Sequence, residues 1–361
     1  MRLLNRYVLR EWFSALLCSH LVITCLLLLE DVYKNFAYCL KAKASLVEVV
    51  KYYAVLATSF HALVTPIAMF VATLFVLGQL HKRNEITAMK CSGMNILTIA
   101  KPIIAGGIIL AVLNLIAEAL LVPMAIDYTT AFRIQIDARA GYNTEESKIG
   151  FYNHLDNRIW FFQRLDKLSC IGKEITVICC DEENREKLRI FATLANFSPT
   201  EKCWHFTNCN VTTLDPLTGV AIKSESFAEK DFPLLTEDPR TMIASVKKRN
   251  NLSFPETVNL LKYGGKGGVV NGFRVKIHKT FANAANCLII LFFAISFATI
   301  GTRIEQFGTL VKALGLLVLF FSVETIFATL GSGGALSPAI AAWGPGVLML
   351  LPVARLFRTA M

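Results

Sequence analysis

Two long apolar runs with a short charged interruption between them limit this chain more than any other feature. Tyr52–Gln79 and Leu97–Pro123 each exceed the roughly 20 apolar residues needed to cross a bilayer. Between them lies Leu80–Ile96, LHKRNEITAMKCSGMNI. An apolar helix satisfies its own backbone in lipid, whereas a charged loop must leave it. His81, Lys82, Arg83 and Lys90 put the loop on the cytoplasmic side by the positive-inside rule. Ile86, Met89, Gly93 and Met94 recur at three- and four-residue spacing, which predicts a short amphipathic helix over about 81–95. Asn84 stands where it can cap that helix, and Glu85 lies in the first turn, where a carboxylate suits the helix dipole. On spacing alone such a loop is a topology anchor. The functional alternative is a docking helix for a cytoplasmic partner.

Composition agrees with a polytopic membrane protein. The 361 residues are 54% hydrophobic and the mean hydropathy is +0.49, well above an ordinary soluble domain. The net charge of +10 is unevenly placed. Residues 124–276 hold 21 of the 37 Lys and Arg residues and 19 of the 27 Asp and Glu residues. The basic excess therefore belongs to the apolar flanks, which points to topology and anionic lipid rather than nucleic acid. Of ten cysteines, Cys18, Cys25 and Cys287 lie in apolar runs and read as packing residues. Cys39 follows the first span and Cys91 lies in the charged loop. Cys170, Cys179, Cys180, Cys203 and Cys209 fall in the middle of the chain, where a disulfide is compatible with an extracytoplasmic domain. No Cys-x-x-Cys pair exists. Cys203 and His205 share a face of a predicted strand, but that pair alone defines no metal site, and none is assigned.

Arg2, Arg6 and Arg10 precede an apolar run, Trp12–Leu29, that ends at Glu30-Asp31 and reads as an uncleaved first span with a cytoplasmic N-terminus. Lys34, Lys41 and Lys43 follow on the outer side, against the positive-inside trend. They are either snorkelling, solvated lysines or contacts for substrate phosphates. Pro66 predicts a kink in the second span. His20 and His61 read as interhelical hydrogen bonders, and Glu118 as an interfacial carboxylate. Asp127–Tyr142 reads as a helical exit from the membrane, with Arg133 and Arg139 in reach of lipid head groups. From Lys148 the pattern turns to short aromatic and β-branched strands, with a hairpin turn at Asp215–Gly219. That spacing suggests a sandwich or jelly roll. Its alternating aromatic residues suit either a packed core or an open trough for acyl chains. Ser253-Phe-Pro-Glu256 is a capping box that opens a helix over Pro255–Tyr263. Gly264–Gly268 reads as a linker. No GxxxxGK[ST] stretch occurs, so the chain encodes no nucleotide site of that kind. Phe281–Ile300, Thr309–Leu330 and Ala339–Leu356 read as three more spans, with GTRIEQFG as a cytoplasmic loop and Glu324 inside the fifth.

Three stretches carry a family resemblance. RNEITAMKCSG resembles the coupling-helix motif of the lipopolysaccharide-export permeases, the LptF/LptG (YjgP/YjgQ) family. RYVLREWFSALL resembles that family's opening, and GALSPAIAAWGPGVLML its last span. The resemblance implies an α-helical polytopic membrane protein with six transmembrane helices and an inserted extracytoplasmic all-β jellyroll-like domain. The parts are a first transmembrane half at 1–123, a periplasmic β domain at 124–272 and a second transmembrane half at 273–361. It implies a non-catalytic permease subunit of an ABC transporter. Such a subunit takes lipopolysaccharide from the outer leaflet of the bacterial inner membrane and passes it towards a periplasmic bridge. Both termini are then cytoplasmic. The implied partners are a cytoplasmic ABC ATPase dimer, a second LptF/LptG-type permease chain, an LptC-like bridge protein and lipopolysaccharide. The chain itself holds no cofactor, since ATP is bound by the partner. Glu85 takes the position that pairs with a basic residue of the ATPase groove, and Met89 and Gly93 take helix-packing positions. Lys34, Lys41 and Arg133 take head-group positions. Lys34 tilts the reading towards the LptG-like branch. Other classes compatible with the residues are a lipid or lipoprotein-release permease of another ABC type, and a membrane-embedded lipid-modifying enzyme. The latter needs a converging constellation, and no spaced motif joins His61 to Glu118.

Overall fold

The computed structural model describes residues 2–141, 145–166, 171–198, 203–246, 252–264, 268–300 and 306–360. Cys170, most of the Gly264–Gly268 linker and the first five residues of GTRIEQFG lie outside the described residues. The chain divides into two compact units. One comprises Met1–Ala37, Ser45–Thr129 and Arg274–Met361, and the other Tyr38–Ala44 and Thr130–Phe273.

The first unit is helical. Helix α1 (Arg2–Lys41) runs through Glu30-Asp31 without a break. Lys34 pairs with Glu30, and Asn35 donates to Asp31, both one turn apart, so the acidic pair is bridged within the helix. The second apolar run is split into α2 (Leu46–Ser59) and α3 (His61–Lys82). Ser45 and Glu48 form a reciprocal capping box at the start of α2. The break falls at Phe60, whose carbonyl accepts from the Leu63 and Val64 amides, and not at Pro66, which lies inside the continuous helix α3. After the short α4 (Glu85–Cys91), α5 (Ile96–Ile116) passes through a π-turn at Ala117–Leu121 into α6 (Val122–Arg139). The predicted end of the third span at Pro123 is thus a widened turn. The Val122 amide reaches the Ala117 carbonyl, and this extra residue accommodates the donor that Pro123 lacks.

Among the described residues five helices are long and apolar enough to cross a membrane: Leu3–Ala37, His61–Lys82, Ile96–Arg139, Val270–Ala298 and Val311–Ser332. The sixth expected span corresponds to Pro338–Val353, a shorter apolar stretch of α11 (Pro338–Ala360). The core of this unit centres on α3 and α9 (Gly268–Ile300), with Met69, Phe70, Leu291 and Phe293 fully enclosed. Phe70 stacks on Phe293 at 5.9 Å. Trp12 of α1 donates from its indole to Thr73 at 2.9 Å across a buried contact.

Small residues let the helices close up, as membrane packing requires. A Cβ at Gly331 in α10 (Gln306–Ser332) would collide with Ala341 Cβ and sit 3.0 Å from Val275 Cγ2. Both neighbours are rigid. Gly331→Ala is therefore expected to cost about 1–3 kcal/mol by overpacking, read as a lower unfolding midpoint of the detergent-solubilised chain. An unchanged midpoint would mean that α10 and α11 separate freely.

Among the described residues the second unit holds six strands, β1 (Glu145–Asn153), β2 (Arg158–Asp166), β3 (Ile171–Cys180), β4 (Glu186–Ser198), β5 (Cys203–Leu214) and β6 (Ala221–Phe232). They form one antiparallel sheet in the order β1-β2-β3-β4-β5-β6. This corrects the jellyroll-like expectation. Each strand pairs with its neighbour in sequence, so the described sheet is an open meander with free edges at β1 and β6. Strand periodicity fixes which residues alternate, but it does not fix connectivity. The hairpin at Asp215–Gly219 forms as expected, with Asp215 accepting from the Leu217 amide and the Thr218 hydroxyl.

A fold line crosses the sheet. Lys148, Glu174 and Asn208, on alternate strands, have φ of 59°, 51° and 51°. The register aligns them with Gln163 and Thr193 across the ladder. On either side of it, buried residues are three apart instead of two, as in Phe162 and Leu165, Ala192 and Ala195, and Phe206 and Cys209. The inward face is a packed aromatic core. Trp160, Phe162, Trp204 and Phe206 are all at most 1% exposed, and Trp160 and Trp204 lie 5.1 Å apart. Leu235, Met242 of α7 (Pro239–Val246) and Leu260 of α8 (Phe254–Tyr263) join the same core. The Ser253–Glu256 capping box closes the start of α8 as predicted.

Candidate functional site

Helix α4 is seven residues long and sits between α3 and α5. Ile86 and Met89 are buried in the core of their own unit, at 2% and 8% exposure. Thr87, Ala88, Lys90 and Cys91 face outward. Met89 therefore seats the helix from beneath. Asn84 holds the N-cap position, but its backbone is left-handed (φ 60°), and its side chain makes no capping bond. Gly93 ends the helix at φ 83°, where a β-carbon is strained. Its amide reaches the Lys90 carbonyl, and the Met94 amide reaches that of Met89. These are the two bonds of a Schellman turn. Glu85 is half-buried in the first turn, and the Tyr7 hydroxyl of α1 donates to it at 3.5 Å.

The predicted head-group residues lie elsewhere. Lys34 is exposed on α1 and pairs with Glu30, an interaction worth little on an open surface. Lys41 is exposed in the last turn of α1, and Arg133 is exposed on α6. In the β unit, Cys203 Sγ lies 3.7 Å from His205 Nε2, and His205 Nδ1 lies 2.6 Å from Asp231. Burial pushes the Cys179, Cys180 and Cys209 thiols up from their ordinary range, so they stay protonated at neutral pH. Among the described residues no group of three or more His, Cys, Asp or Glu side chains is placed to hold a metal ion.

Sequence reasoning missed a polar ladder between apolar helices. Asn283 of α9 donates to Glu118 at 2.9 Å, so Glu118 faces a neighbouring helix rather than the interface alone. Asn114, one turn earlier and fully buried, donates to Cys287 Sγ at 3.6 Å. Lys279 pairs with Glu324 of α10 at 2.9 Å. The signal was present as matching i, i+4 series inside apolar runs: Asn114 and Glu118 on one helix, Lys279, Asn283 and Cys287 on the other. His20 and His61 lie with ring centroids 5.3 Å apart, and His61 also meets Thr65 of its own helix.

Long apolar helices, a short amphipathic helix in the loop between two of them and a separate antiparallel β unit define a polytopic membrane protein with an extramembrane domain. The profile of the lipopolysaccharide export system permease LptF/LptG matches residues 6–359, nearly the whole chain. This chain belongs to the LptF/LptG family, whose members are inner-membrane permeases for lipopolysaccharide transport. A comparison with curated proteins finds none that matches it.

Proposed function

We propose that this chain is the non-catalytic membrane subunit of an ABC transporter that lifts lipopolysaccharide from the outer leaflet of the inner membrane. The carrying observation is α4, a short helix seated by Ile86 and Met89 with its opposite face left open beside Glu85. That form suits docking on a cytoplasmic ATPase dimer, with Glu85 paired to a basic residue there and Gly93 fixing where the helix stops. The orientation follows from the basic loop: both termini are cytoplasmic, six helices span the membrane, with α11 as the sixth, and the β unit is periplasmic. Only 11% of the apolar window of α1 and 17% of that of α10 is buried within the chain, which supports a second LptF/LptG-type permease chain beside them. Lys34, Lys41 and Arg133 meet the phosphates of the head group. Free edges on β1 and β6 suit strand addition to an LptC-like bridge. ATP is bound by the partner, and the chain needs no cofactor of its own. Drawing a many-chained lipid out of a bilayer costs about 0.8 kcal/mol per CH₂, so coupling to ATP is physically sensible.

The test is a pull-down of the tagged chain from native membranes in mild detergent, read for an ATPase subunit and for bound glycolipid. Both are expected to come with it. A chain that comes down alone under several detergents would overturn the ABC reading.

A further inference from the structure

The start of α9 carries four basic or titratable groups in six residues, Arg274, Lys276, His278 and Lys279. In the orientation proposed above this is the outer end of a span, where basic residues run against the usual bias. Arg274 and His278 are one turn apart, and both are exposed. Among the described residues neither has an ion-pair partner. On the adjoining face Lys279 is 37% exposed and bonds Glu324, whose side chain is 11% exposed. Lys276 and Lys279 both lie within electrostatic reach of Glu118, whose Oε2 is buried with no hydrogen-bond partner among the described residues. Lys279 thus has Glu324 as its counter-ion, whereas Arg274 stands exposed beside His278 with no ion pair among the described residues. A surplus cation at a membrane boundary is costly unless an anion compensates it. A lipid phosphate does so through charge-assisted bonds to Arg and Lys.

We propose that the outer end of α9 is a binding site for the phosphate of a lipid head group, formed by Arg274 and His278 at its rim and Lys279 behind them. Glu324 is the resident counter-ion, and the phosphate competes with it for Lys279. The proposal rests on the permease reading for its orientation only. The phosphate belongs either to the transported glycolipid or to an anionic phospholipid of the bilayer.

The full chain would be placed in nanodiscs of phosphatidylethanolamine, with either diphosphorylated lipid A or phosphatidylglycerol added. Retained lipid would be read by native mass spectrometry. Arg274→Gln is expected to weaken retention about fivefold, as loss of one cation near the surface implies. Glu324→Gln frees Lys279 and is expected to strengthen it. The double variant Lys279→Gln/Glu324→Gln has the net charge of the parent and removes both members of that ion pair together, yet it is expected to retain less than the parent. Preference for lipid A assigns the site to the transported lipid, and equal retention assigns it to either phosphate source; both support the site. Retention that follows net charge alone, with the double variant equal to the parent, overturns it. The readout needs no ATPase. Binding without a co-purifying ATPase would therefore sink the coupling account alone, and an ATPase without site-dependent binding would sink this proposal alone.

Discussion

Glu85→Lys is expected to strip the ATPase from the purified chain while leaving the chain in the membrane at its normal level. Glu85 is the one acidic side chain in a loop that also carries His81, Lys82, Arg83 and Lys90. Among the described residues its one hydrogen bond is the long one from the Tyr7 hydroxyl, so changing it removes little from the fold. At a docking surface the same change sets like charges face to face, which costs several kcal/mol. Retained ATPase is expected to fall about 100-fold or more, and export with it. Glu85→Gln keeps an acceptor for Tyr7 and is expected to fall less. Met89→Ala should behave differently. Met89 is 8% exposed and packs in the core of its own unit, so truncating it is expected to cost about 2–5 kcal/mol of stability. The result would be less chain rather than chain without partner. The readouts are the ratio of ATPase to chain and the amount of chain. A Glu85→Lys chain with a full complement of ATPase and normal export leaves Glu85 no part in coupling.

The five long apolar helices among the described residues and α4 were legible in the sequence because each rests on a local signal. A long apolar run can only be a buried or membrane helix, and the spacing of Ile86 and Met89 sets the inward face of α4 whatever surrounds it. The Asp215–Gly219 turn and the Ser253–Glu256 capping box were legible for the same reason, since their bonds close within a few residues. What was not legible depends on residues far apart in the chain. Glu118 looked interfacial because its partner, Asn283, lies 165 positions away. Lys279 gains its role from Glu324, which lies on another helix far along the chain. The fold line through Lys148, Glu174 and Asn208 has no glycine to announce it. It emerges only when the strands are set in register. The jellyroll-like expectation failed at the same point: alternation is local, whereas strand order is not. Of the expected site, the structure places Glu85, Met89 and Gly93 on or beside α4, and it puts Met89 inward. Lys34, Lys41 and Arg133 are placed as exposed residues on their own helices, because head-group contact is a property of a ligand and not of the chain alone.

Arg158→Ala is expected to loosen the β unit without touching the helices. Glu237 is buried, with its side chain 2% exposed, and Arg158 lies 3.2 Å away with 16% exposed. Asn153 donates to the same carboxylate at 2.9 Å, Arg158 also donates to the Leu234 carbonyl at 2.7 Å, and the Trp204 indole reaches the Glu237 carbonyl at 2.9 Å. These bonds tie the segment after β6 to the ends of β1, β2 and β5. Removing the arginine leaves a carboxylate in the interior with one amide for company. Breaking a buried pair in this way costs about 3–5 kcal/mol. The double variant Arg158→Met/Glu237→Met is expected to recover most of that loss, because two apolar side chains leave no charge to solvate. Amide hydrogen exchange on the solubilised full chain separates the outcomes. Faster exchange confined to β1, β2 and β5, with α3 unchanged, is the expected result. Unchanged exchange in the strands would mean that the pair contributes nothing measurable. In transport terms the single variant should still bring down the ATPase, since α4 lies in the other unit, yet fail to hand lipid onward. A loss of ATPase instead would show that the two units are coupled more tightly than their separate cores imply.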